Sequence, residues 1–281
     1  MVLEFKNVLR LNKTNTSLGI MNKLHMLKLK QNLYAMKLRL KKPIIRSNEV
    51  IIKEYESYWE KARIYENVIT NRNPDEPVEF SENETYHKTT HIDFTKIVLN
   101  EFLRFIKNSC NFDEPIVELG CGVGTKLFYL EDHGFTNLEG YELTLNGVKK
   151  AVEFAKIKNS KIKIQQCNII KDNIDIKNKT VITFLSLEQL KLNLEFMVDK
   201  IITNKPKQVL SFESIFKSIF ERYYAEHTGY QTNYHKLLRD KKQIRLLELE
   251  EFKVNANLLR PIYFMKWIIQ KNRGSENFHK N

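Results

Sequence analysis

The chain has 281 residues, 42% hydrophobic and 28% charged, which suits one sizeable α/β domain with an extension and excludes a disordered or low-complexity chain. Its net charge of +12 is concentrated: residues 1–48 hold eleven Lys and Arg against the single acid Glu4, while the remainder is nearly balanced, so a basic face for nucleic acid is not expected on the domain that does chemistry. No apolar run reaches the ~20 residues that cross a bilayer, the N-terminus lacks the order of a secretory leader, and three cysteines without a C-x-x-C pair exclude a disulfide framework or zinc site, so a cytoplasmic protein is expected.

The first predicted element is a helix from Ile20 to Leu40. Leu24, Leu27, Tyr34 and Leu38 lie near one stripe, flanked by Met26, Leu29, Leu33, Met36 and Leu40, with lysines between them. Such a basic amphipathic helix packs on its own domain or a dimer mate, or lies on an anionic membrane through residues 20–42. Residues 48–80 place Tyr55, Tyr58, Trp59, Arg63 and Tyr65 at helical spacing before a break at Pro74–Pro77, which reads as a cap helix plus loop. His87 and His91 lack the further ligands of a metal site, and no metal is expected. Thr90 or Asp93 caps a helix over Phe94–Ile106.

Residues 115–124 carry the most information: an apolar strand ends in Glu118 and Leu119 and runs into Gly120, Gly122 and Gly124. The amphipathic stretch that follows, with Leu127, Phe128 and Leu130 inside, reads as a helix. Strand, glycine turn and helix N-terminus make a nucleotide-sized cradle, and the glycine spacing departs from the dinucleotide fingerprint because Thr125 stands where its third glycine belongs. A second strand ends at Glu142, a third at Asn168, a fourth covers Thr180–Ser186 and a fifth Gln208–Glu213. Between the fifth strand and the last pair lies a segment dense in hydrogen-bonding aromatics, including His227, Tyr230, Tyr234 and His235. Ile244–Phe252 and Ile262–Ile269 read as an antiparallel closing pair, and the tail is polar.

The E-x-G-x-G-x-G pattern, followed in order by these strand-end residues, resembles class I S-adenosylmethionine-dependent methyltransferases over roughly residues 85–270. The resemblance implies a Rossmann-like α/β fold with a seven-stranded, mostly parallel sheet whose last strand is antiparallel, preceded here by a helical extension. It divides the chain into a basic extension and cap, 1–84, a methyltransferase domain, 85–272, and a polar tail, 273–281. It implies S-adenosyl-L-methionine as cofactor. Glu118, Gly120, Cys121, Gly122 and Gly124 would lie around the methionine part, Glu142 on the ribose hydroxyls, Asn168 and Ile169 beside the adenine, Ser186 on the cofactor, and the following Leu187-Glu188-Gln189-Leu190 beside the methionine moiety and transferable methyl. Asn168 stands where the family usually has an acid.

Methyl transfer to oxygen also needs a place for the proton. For the base the sequence offers His227, His235, His91 and Glu188, with His227 preferred, and Tyr230 and Tyr234 suit contacts to a hydroxylated acceptor. The fourth strand ends Phe184-Leu185-Ser186-Leu187, without the Asp/Asn-Pro-Pro-aromatic motif that holds an amino group or the Pro-Cys nucleophile of cytosine methylation. A small-molecule or sugar acceptor and O-methylation are therefore expected. The alternatives are an RNA or protein methyltransferase docking through the basic arm, or a non-catalytic binding module on the same fold.

Overall fold

The structure is a computed structural model that describes residues 16–65 and 68–270. Two helices come first, α1 (Thr16–Arg39) and α2 (Asn48–Glu60), the latter started by the Ser47 hydroxyl, which accepts from the Val50 amide. Two hairpins follow, β1 (Arg63–Tyr65) with β2 (Val68–Thr70) and β3 (Pro77–Glu82) with β4 (Thr85–Thr90). Thr90 then caps α3 (His91–Lys107), as its position before the apolar periodicity indicated.

The central domain alternates strand and helix: β5 (Ile116–Leu119), α4 (Thr125–Asp132), β6 (Leu138–Glu142), α5 (Leu145–Lys158), β7 (Lys163–Gln166), β8 (Thr180–Phe184), α6 (Leu194–Thr203) and β9 (Gln208–Ser214). Two short helices, α7 (Ile219–Thr228) and α8 (Tyr234–Asp240), lead to β10 (Ile244–Glu251), β11 (Val254–Asn255) and β12 (Ile262–Ile269). The seven-stranded sheet has the order β10-β12-β9-β8-β5-β6-β7. β12 is antiparallel to both neighbours, so β10 runs with the parallel strands and β12 alone is reversed. That refines the expected antiparallel pair.

Helices on both faces explain why β5 and β9 are buried at every position. Side chains alternate between two cores. Val117, Val181, Val209 and Trp267 pack with α6 and α8 on one face, and Ile116, Ile182, Leu210 and Phe212 pack with α3 and α4 on the other. After β5 the chain builds outward to β7 and then returns to β8 on the opposite side of β5. This reversal opens a crevice above the carboxyl ends of the strands, the standard ligand position in open α/β sheets.

The extension is joined to this domain by a shared sheet, β11-β3-β4, in which β11 of the C-terminal region pairs with β3. A boundary at 84/85 falls in the β3–β4 turn. The pairing links residues some 170 positions apart, which no local signal announces.

Candidate functional site

A cavity of about 280 Å³ lies in the crevice. Its floor is the turn after β5. Gly120 and Gly122 have φ of +73° and +58°, a left-handed backbone that side chains disfavour. A Cβ on Gly120 would stand 2.7 Å from Ser186 Cβ, and one on Gly122 would stand 2.7 Å from the Trp59 ring. Glu142, at the end of β6, closes the turn: its Oε2 accepts from the Gly122 amide at 2.8 Å, and its Oε1 accepts from the Thr144 amide at 3.0 Å and hydroxyl at 2.5 Å. Burial pushes its pKa up, against those hydrogen bonds.

The walls come from the ends of β7 and β8. Asn168, Ile169 and Ile170 line one side, and Phe184, Leu185, Ser186, Gln189 and Leu190 the other. Asn168 Oδ1 accepts from the Ile170 and Lys171 amides at 3.1 and 3.2 Å, so the carbonyl oxygen expected to receive an adenine amino group is used to hold its own turn. The Ser186 hydroxyl donates to the Leu119 carbonyl at 2.9 Å, tying this wall to β5. Behind it the buried Glu213 of β9 accepts from the amides of Ser186, Leu187 and Glu188 at 3.1 to 3.2 Å. Burial and the nearby Glu188 push the Glu213 pKa up to about 8.

The roof is α2, which contributes Asn48, Ile51, Tyr55 and Trp59 to the lining. Glu56 locks it in place by accepting from the Leu145 and Asn146 amides at 2.6 and 2.9 Å, at the electropositive N-terminus of α5. Over the far end, Gln189 donates to the Tyr55 hydroxyl at 2.6 Å and accepts from Arg46 at 2.9 Å. The Trp59 Nε1 is buried without a hydrogen-bond partner. A buried donor in this state carries a cost, and a ligand acceptor in the cavity would relieve it. The left-handed turn, the acid beside it and this unpaired donor fit a nucleoside-bearing cofactor.

No protein-family model matches the chain, and no curated protein matches it in sequence. Solved structures do match. The N-methyltransferase NodS from Bradyrhizobium japonicum WM9 is 12% identical over 64% of this chain and 99% of its own, with a TM-score of 0.52. The magnesium protoporphyrin IX methyltransferase of Synechocystis PCC 6803, solved with bound S-adenosylhomocysteine, is 11% identical over 63% of this chain and 84% of its own, with a TM-score of 0.51. A third, from work on the conversion of a disulfide bond into a thioacetal group in echinomycin biosynthesis, is 11% identical over 80% of this chain and 95% of its own, with a TM-score of 0.50. The chain has the class I methyltransferase fold.

On this fold the residues singled out from the sequence divide in two. Gly120, Cys121, Gly122, Glu142, Asn168, Ile169 and Ser186 line one cavity. Gly124 lies behind the turn as the N-cap of α4. Glu118 is fully buried beneath it, 3.0 Å from Lys126 Nζ, and it is Lys126 that reaches the lining. Burial raises the Glu118 pKa against the pull of Lys126.

The candidate catalytic and substrate residues are placed differently from expectation. Glu188 is fully buried and paired with Arg260, which lines the cavity in its stead. Tyr230 has the Arg46 and Arg260 guanidiniums over its ring, 5.2 and 4.7 Å from the centroid, and is not on the cavity lining. Tyr234 is fully buried in the core, its hydroxyl 2.7 Å from Ser211 Oγ and accepting from Trp267 Nε1 at 3.3 Å. His227 lies on α7, where its carbonyl receives the Ile44 amide at 2.7 Å, and it is not on the lining. The tyrosine-rich segment supplies core and support: Tyr230 and Tyr234 are buried, and Tyr223 and Tyr224 of α7 are half-buried.

Arg260 is a lining residue that sequence reasoning missed. It belongs to the β11–β12 connection and reaches the cavity only through sheet closure. Its pairing with Glu188, opposed by burial, keeps it firmly charged.

Proposed function

We propose that this chain binds S-adenosyl-L-methionine in the cavity and transfers its methyl group to an oxygen of a small molecule. The observation that carries the cofactor reading is the left-handed turn at Gly120 and Gly122, closed by Glu142 through the Gly122 amide. When bound, the cofactor supplies an electrophilic methyl group. The protein holds the glycine turn open, presents Glu142 to the ribose hydroxyls and excludes water beneath α2. Positioning of this kind carries much of the rate, since well-oriented intramolecular reactions reach effective molarities of ~10⁵–10⁸ M.

Two features support a small acceptor. The Arg46–Gln189–Tyr55 bonds close the roof, which a macromolecule would have to displace. The lining contains one carboxylate, Glu142, and no histidine, but two cations, Lys126 and Arg260. With no histidine on the lining to take a proton, the oxygen that fits is one already ionised near neutral pH, a carboxylate or an acidic hydroxyl, and the two cations, each already paired with a buried carboxylate, do not by themselves select it. A simple sugar hydroxyl fits less well.

The test is transfer of radiolabelled methyl from S-adenosylmethionine to a panel of carboxylic acids, acidic phenols and sugars. Labelled acids or phenols with unlabelled sugars are expected. Labelling of sugars alone would overturn the acceptor assignment, and failure to bind the cofactor would overturn the whole reading.

A further inference from the structure

Helix α1 carries two apolar seams. Leu24, Leu27, Ala35 and Leu38 are buried against the protein, where α1 packs on α7 and β4. Nearly opposite, Met26, Leu29, Leu33, Met36 and Leu40 recur at spacings of three and four and are 38%, 39%, 43%, 51% and 88% exposed. Ile44 and Ile45, 44% and 76% exposed, follow in the connector. A five-residue apolar seam on an otherwise amphipathic helix is a contact surface in want of a partner.

Charge selects the partner. Residues 22–42 contain seven Lys and Arg and no acid. Lys30 and Lys37 follow one edge of the seam, and Asn32 and Arg39 the other, with the Arg39 guanidinium also lying 4.7 Å over the Tyr223 ring. Two copies paired through this seam would set basic flanks against basic flanks in either orientation, with no acid to bridge them. An anionic lipid surface satisfies both features at once, taking the apolar seam into the acyl boundary and the lysines among its head groups. Among the described residues no helix is long and apolar enough to cross a membrane, so the contact is in-plane.

We infer that the outer face of α1, from Met26 to Ile45, docks the protein on an anionic bilayer. The seam's C-terminal end runs through Ile44 and Ile45 into Arg46, which roofs the cavity, so the docked protein holds its cavity roof beside the lipid surface. This rests on the helix alone and stands apart from the reaction assigned to the cavity.

The experiment is co-sedimentation of the full chain with phosphatidylcholine vesicles, with and without about 30% phosphatidylserine. Binding to the anionic vesicles alone is expected, lost when ionic strength rises from about 0.1 M to about 1 M and the Debye length falls from ~10 to ~3 Å. Lys30→Gln with Lys37→Gln should weaken it roughly fivefold per charge, and Leu33→Glu with Met36→Glu should abolish it. Lys107→Gln with Lys242→Gln, exposed lysines outside α1, should leave it unchanged. Circular dichroism and S-adenosylhomocysteine affinity confirm that each variant is folded. No binding by the folded wild type, binding that survives the seam variant, or a wild-type dimer that Leu33→Glu dissociates would each overturn the inference.

Discussion

The Gly122 amide donates to Glu142 Oε2 at 2.8 Å, across 20 residues of sequence, and this bond ties the glycine turn to the acid proposed to hold the ribose. Removing the carboxylate leaves the Gly122 and Thr144 amides unpaired in a buried place, at a cost of about 1–3 kcal/mol. Glu142→Ala should therefore lower the melting temperature as well as cofactor affinity, read by calorimetry on the same sample.

Trp59 rests on Gly122 so closely that a Cβ there would meet its ring at 2.7 Å. Gly122→Ala adds a left-handed strain to that clash, and Trp59→Phe relieves only the clash. The single glycine variant should lose affinity for S-adenosylhomocysteine by at least about tenfold, equivalent to ~1.4 kcal/mol. The double variant should recover part of it. Equal losses in both would show that Trp59 does not bear on the turn.

Helix α2 was legible as a cap helix from Tyr55, Tyr58 and Trp59, but Arg63 and Tyr65, read at the same helical spacing, lie in strand β1, and the latch of α2 was not legible. Glu56 reaches Leu145 and Asn146, some 90 residues away, and nothing in its neighbourhood distinguishes it from any solvent-facing acid on a helix. Glu56→Gln should cost about 1 kcal/mol by weakening the charge at the N-terminus of α5. It should also raise the dissociation rate of bound S-adenosylhomocysteine severalfold, measurable by stopped-flow tryptophan fluorescence.

The same contrast runs through the site. The glycine turn, Glu142 and Ser186 are written locally, because strand ends and turns have short signatures. Arg260, Glu213 and Arg46 arrive through strand closure and helix packing, and their roles depend on neighbours dozens of residues distant. Tyr234 shows the reverse error: a hydrogen-bonding aromatic in a promising segment became a core residue because its hydroxyl found Ser211 and Trp267. Tyr234→Phe should accordingly cost about 1–2 kcal/mol of stability and leave S-adenosylhomocysteine affinity unchanged.

Glu213 gives the protein a pH dependence. Its pKa lies at about 8 in the fold against an ordinary 4.5, so the folded state holds a proton that the unfolded chain has released. The associated stability is full below pH 4.5, declines as pH rises through that window, and is lost above about 8. The melting temperature should fall by several degrees between pH 6 and about 9, and Glu213→Gln, which cannot ionise, should flatten that part of the profile. An identical slope in the variant would assign the titration elsewhere.

The most direct test is calorimetric titration of the purified chain with S-adenosylmethionine and S-adenosylhomocysteine, alongside Glu142→Ala and Gly122→Val. Micromolar binding at one site, lost in both variants while Tyr234→Phe retains it, is the expected result. A folded wild type that binds neither ligand at millimolar concentration would contradict the assignment of the cavity.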